Sequence, residues 1–108
     1  MGLEAAIYAD GDHTQKLKSL RIGNATMVCH LARCLREVEP DSPTLLGKVL
    51  YSGTHGGDEL SLEDIKMALK EIRQVRAATV ADEYLQAFLQ NFKDLLQMAL
   101  DRGLPVVF

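Results

Sequence analysis

From Thr79 to about Arg102, apolar residues recur with the period of an α-helix: Tyr84, Leu85, Phe88, Leu89, Phe92, Leu95, Leu96, Ala99 and Leu100. That stripe predicts a long amphipathic helix, and a face of that length has to be covered by other elements before the chain is stable in water. Thr79 is the expected N-cap, and Gly103 supplies the left-handed residue common just past a helix end. Leu104 to Phe108 (LPVVF) then reads as a short apolar strand. At the other end of the chain, LEAAIYAD (residues 3–10) sets Leu3, Ala5 and Ile7 on one side and Tyr8 on the other, as a half-buried strand does. A strand at each terminus with helices between predicts that the two end strands share a sheet. The expected fold is α+β: one domain over residues 1–108, with a small sheet that includes both terminal strands and about three amphipathic helices packed against it.

The intervening chain supplies the other helices. Asn24 is placed to cap a first helix whose stripe is Met27, Val28, Leu31, Cys34, Leu35 and Val38, and Pro40 and Pro43 end it. Before it, Leu17, Leu20 and Ile22 suit either a second short strand or an irregular segment that buries its apolar side chains. TLLGKVLYS (residues 44–52) is rich in aliphatic residues and is expected to hold a buried strand over Lys48–Ser52, with a helical turn at its start as the alternative. Ser61 begins the second long helix with several agreeing signals. Its hydroxyl can accept from the Asp64 amide, Glu63 and Asp64 suit the positive end of the helix dipole, and Leu60 and Ile65 occupy the staple positions. Leu62, Ile65, Leu69, Ile72 and Val75 form its expected buried stripe, with Lys66, Lys70, Glu71 and Arg73 facing out.

Composition narrows the function classes. The chain has 108 residues, 47% hydrophobic and 25% charged, which is ordinary for a globular domain. Its net charge of -3 comes with scattered Lys and Arg, which argues against a nucleic-acid partner, because phosphate binding needs clustered cations. No segment has the length of a membrane span, and MGLEAAIYADGD turns acidic before a signal-peptide core forms. Two cysteines, Cys29 and Cys34, are too few for a disulfide framework, and their spacing suits neither zinc nor a CxxC redox pair. A reduced, cytoplasmic protein without a cofactor is expected.

Two polar stretches carry the candidate chemistry. Asp10-Gly-Asp12-His13-Thr14 follows the first strand and fits the DxDxT pattern, so it resembles haloacid-dehalogenase-like phosphatases. That resemblance implies a nucleophilic Asp10 and an acid–base Asp12 beside magnesium, with Ser52 as a phosphate-binding hydroxyl and Asp58 as a further metal ligand. The family needs a doubly wound parallel sheet, which a chain with three or four strands cannot supply. The second stretch is GTHGGD (residues 53–58). Its glycines permit close backbone approach, and Ser52, Thr54, His55 and Asp58 form a candidate ligand-binding set. His55 with Asp58 is the candidate acid–base pair. Asp10, Asp12, His13, His55 and Asp58 would make a joint metal site if the two strand ends were parallel neighbours. A plain polar turn, with a solvated histidine, accounts for the same residues. His30 lies off the main stripe and reads as a surface residue, Cys29 and Cys34 as packing residues, and the Tyr84–Phe88–Phe92 row as core. If that helix is partly uncovered, the same row becomes a dimer or partner surface.

SLRIGN (residues 19–24) and YSGTHGGD (residues 51–58), followed by the capped helix, resemble small uncharacterised bacterial proteins with an SGTH-x-GD segment, some of which are thought to be immunity or accessory proteins of toxin systems. The resemblance implies a bacterial, non-enzymatic interaction module that binds a protein partner or itself as a homodimer. The opposing expectation is a small metal-dependent hydrolase or ligand-binding domain built on the Gly53–Asp58 loop.

Overall fold

The computed structural model describes residues 3–9, 15–50, 58–76 and 82–108. β1 (Leu3–Tyr8) and β2 (Lys16–Gly23) form an antiparallel hairpin, closed by the Ala9 N–H donating to the Gln15 carbonyl at 2.8 Å. Of the two readings of the second segment, the strand is the one that forms. Gly23 then turns the chain into the first helix with φ at 139°, a conformation that disfavours any side chain, and a Cβ there would meet Met27 Cβ and Cγ at 2.8 Å. Asn24 caps α1 (Ala25–Val38) by accepting from the Met27 amide at 2.9 Å. Val28, Leu31, Ala32 and Leu35 are buried, while Met27, Cys34 and Val38 flank them at the edge of the core.

The strand expected at Lys48–Ser52 is not formed over its described part. Leu45–Val49 is a π-helical segment, with the Leu50 N–H reaching back to the Leu45 carbonyl at 2.7 Å. Aliphatic runs of this length suit a buried strand or a buried helical turn equally well. The choice is made by Glu71, whose carboxylate accepts from the Thr44 amide at 3.0 Å and the Leu45 amide at 2.9 Å. Those are two of the donors that a helix start leaves without internal partners. Glu71 is therefore buried, 3% exposed, rather than facing out as the helical period predicts.

β3 (Glu59–Leu60) leads directly into α2 (Leu62–Arg76). The Ser61 hydroxyl accepts from the Asp64 amide at 3.2 Å, and Asp64 Oδ2 accepts from the Ser61 amide at 3.3 Å, a reciprocal capping box. Leu60 and Ile65 are both buried beside it. Leu62, expected in the stripe, is 38% exposed, and Ala68 is buried with Ile65, Leu69, Ile72 and Val75. α3 (Glu83–Arg102) starts from Asp82, which accepts from the Leu85 amide at 2.9 Å. Asp82, not Thr79, is thus the N-cap, and Thr79 lies outside the described residues. Gly103 ends the helix at φ 67°, as expected.

β4 (Val106–Val107) completes an all-antiparallel sheet of order β2-β1-β4-β3, so the two terminal strands are adjacent at its centre. α3 packs on β1 and β2 with α1 and α2 against it, and every element contributes to one apolar core with Phe92, Ile7, Leu35 and Leu95 among its fully buried members. This is an α+β fold. Its sheet has no parallel pair, so the doubly wound architecture behind the DxDxT resemblance is absent from the described residues. No helix among them is long and apolar enough to cross a membrane.

Candidate functional site

Among the described residues, His, Cys and Asp side chains converge where the middle of α1 passes the start of α3. His30 and Cys34 are four residues apart on α1, so they project from the same face on successive turns. Asp82 is brought to them from 52 positions beyond His30 in the chain because it must sit at the head of α3 to cap it. One carboxylate oxygen, Oδ1, is occupied by the Leu85 N–H, and the other, Oδ2, lies 2.8 Å from His30 Nε2. Cys34 Sγ stands 3.6 Å from the same Nε2. The three ligand atoms all lie within 4.8 Å of one another, and all three residues are half-buried.

The Leu85 amide, with the His30 ring beside it, holds the Asp82 carboxyl below its ordinary range, so Asp82 accepts and Nε2 carries the hydrogen. On the other side of the ring, the Arg33 guanidinium stands 3.5 Å from Nδ1. Burial pushes the Cys34 thiol up, and the carboxylates of Asp82 and Glu37 add to the shift. This is not the arrangement of a Cys–His–Asp nucleophilic triad. Such a triad uses opposite nitrogens of the imidazole for the nucleophile and the acid, and it needs a thiol activated towards thiolate. Here both partners address one nitrogen and the thiol is held protonated.

Above this cluster lies an open groove lined by Asn24, Thr26, Met27, Cys29, His30, Arg33 and Tyr84. Tyr84 was grouped with the buried row by its spacing, yet it is 62% exposed, the most exposed large apolar side chain described. Phe88 and Phe92 of the same row are buried and stacked, with centroids 5.2 Å apart. The Tyr84 ring stands edge-on to His30 at 6.0 Å and 88°, which orients it without covering it.

Asp10, Asp12, His13, Ser52, Thr54 and His55 lie outside the described residues. Asp58 is described and exposed. It stands immediately before β3, and its carbonyl accepts from the Phe108 N–H at 2.9 Å. Ala6, Val107 and Glu59 are in one row across the sheet, so Asp58 lies towards the beginning of β1, with β4 between. The loop after β1 leaves from Tyr8 at the other end. The joint metal site was expected from parallel neighbouring strands ending at Asp10 and Ser52; the second of these is not a strand over its described part, and of the five candidate ligands only Asp58 is described.

No protein-family model matches the chain, and comparison with curated proteins and with solved structures returns no match. The site therefore rests on its own geometry. In the sequence His30 reads as a surface residue and Cys34 as a packing residue, whereas both are half-buried members of the cluster; their i, i+4 spacing, which brings two ligands together on a helix, was the signal that could have joined them. Asp82 had no such signal, because nothing local distinguishes a cap that also reaches across to another helix.

Proposed function

We propose that the chain is a non-enzymatic protein-binding module of the immunity or accessory kind, which docks another protein in the groove between the start of α1 and the start of α3. The observation that carries this reading is Tyr84: a large aromatic side chain, 62% exposed, oriented by His30 at the head of a firmly capped helix. Tyr, Met and Arg are the residues enriched at the energetic centres of interfaces, and the groove offers Tyr84, Met27 and Arg33 within a polar rim of Asn24 and Thr26. The complementary partner presents an apolar side chain to Tyr84 and a carboxylate to Arg33. A second copy fits less well. Docking through the same groove about a two-fold axis would bring two Arg33 guanidiniums towards each other, and among the described residues no acidic side chain lines the groove to offset them.

The test is site-specific photo-crosslinking in the native host, with the reactive residue at position 84 or, as control, at exposed Gln74 on the open side of α2. A single heavier adduct at 84 and none at 74 is expected. Tyr84→Ala in the purified pair should then weaken binding about 30-fold, the loss typical of a central aromatic anchor. No adduct at 84, or the same adducts at both positions, would overturn the proposal.

A further inference from the structure

We infer that His30, Cys34 and Asp82 are ligands for a divalent transition-metal ion of the zinc class, which clips the middle of α1 to the head of α3. The donor set is one imidazole nitrogen, one thiolate and one carboxylate oxygen, the mixture that suits a borderline-soft ion and ill suits calcium or magnesium. The distances already approach coordination. Around a tetrahedral zinc, bond lengths of about 2.0 to 2.3 Å place sulfur and nitrogen about 3.6 Å apart and nitrogen and oxygen about 3.3 Å apart. Cys34 Sγ and His30 Nε2 stand at 3.6 Å; Asp82 Oδ2 and Nε2, at 2.8 Å, have to open by about half an ångström; and Sγ and the carboxylate lie within 4.8 Å of each other.

That both partners address Nε2, which disqualified a nucleophilic triad, is what a shared ion requires. The Leu85 N–H on Oδ1 supplies the outer support that metal-binding carboxylates usually have, and it leaves Oδ2 free to bind. All three ligands sit on or at the head of helices fixed by the core, which limits the rearrangement needed. On binding, the Cys34 S–H bond breaks and a sulfur–metal bond forms, with its proton leaving to solvent. The imidazole hydrogen moves from Nε2 to Nδ1, and the exposed Arg33 turns away from that nitrogen. Thiolate and carboxylate together balance the two charges of the ion. The carboxylates of Asp82 and Glu37, which disfavour a lone thiolate at Cys34, favour a cation there, while Arg33 opposes it. Three protein ligands leave a fourth position for water. This inference does not rest on the docking proposal, because it concerns the free chain.

The test titrates the reduced, metal-stripped full chain with Co²⁺, whose bond to thiolate gives a charge-transfer band, and then with Zn²⁺. One Co²⁺ per chain is expected, with that band and the strong visible bands of a tetrahedral site, displaced by Zn²⁺ at micromolar affinity or tighter. Cys34→Ser should abolish the charge-transfer band, whereas Cys29→Ser, exposed in the groove but not part of the three-ligand cluster, should leave it. Asp82→Asn preserves the cap, because Asn is as good an N-cap as Asp, and should cost at least tenfold in Zn²⁺ affinity. Absence of the band in the unmutated chain, or its survival in Cys34→Ser, would overturn the inference.

Discussion

Glu71 shows how much one side chain can decide. Its carboxylate satisfies the Thr44 and Leu45 amides in a place without access to water, and so it selects a helical start for a segment whose composition also suits a strand. Glu71→Ala strands both donors and should destabilise the chain by about 3 kcal/mol, while Glu71→Gln, which keeps an acceptor, should cost about 1 kcal/mol. Urea unfolding measures both, and equal losses for the two variants would contradict the assigned role. Gly23 is the second such residue. Gly23→Ala forces a side chain into a positive-φ position and against Met27, so a loss of about 1 to 3 kcal/mol is expected in the same assay. A variant as stable as the parent would contradict it. The two residues differ in how far the sequence reveals them. Glycine followed by an N-cap at a strand-to-helix turn is a local pattern, whereas the burial of Glu71 depends on partners 26 and 27 positions away.

Elements with redundant local signals were legible, and those with competing signals were not. The head of α2 carries a capping box and a staple, and each part forms as its residues predict. At the head of α3 only Thr79 reads as the cap in the sequence; Asp82 caps it instead, so the helix starts later than expected and Tyr84, in its first turn, is exposed. The α2 cap is also linked to pH. The Lys48 ammonium, 2.8 Å from Asp64 Oδ1, holds that carboxyl below the ordinary 3.8, with the Ser61 amide and hydroxyl adding to it. A depressed folded value contributes stability that is fully present above the unfolded value and is lost as pH falls through the folded one. Unfolding midpoints should therefore decline as pH drops below about 4, and Lys48→Met should make that decline shallower. An identical acid slope in the variant would exclude Asp64 as a contributor.

At the scale of the molecule, pairing of the terminal strands was readable from two apolar runs at the chain ends, and the fold class followed from it. The order of the strands was not, because β3 is only two residues long and lies beside a segment that resembles a strand more strongly. That difference moves the functional weight. The glycine-rich stretch drew attention through its residue types, Thr54, His55 and Asp58, but of these only Asp58 is described, on the edge-strand side of the sheet. Among the described residues, the convergence that the fold creates is at the junction of α1 and α3, from residues that look ordinary one at a time. The most direct test sets the two places against each other: crosslinking in the native host from position 84 and from position 55. A partner adduct from position 84 and none from position 55 is predicted. An adduct from position 55 with none from position 84 would contradict the account.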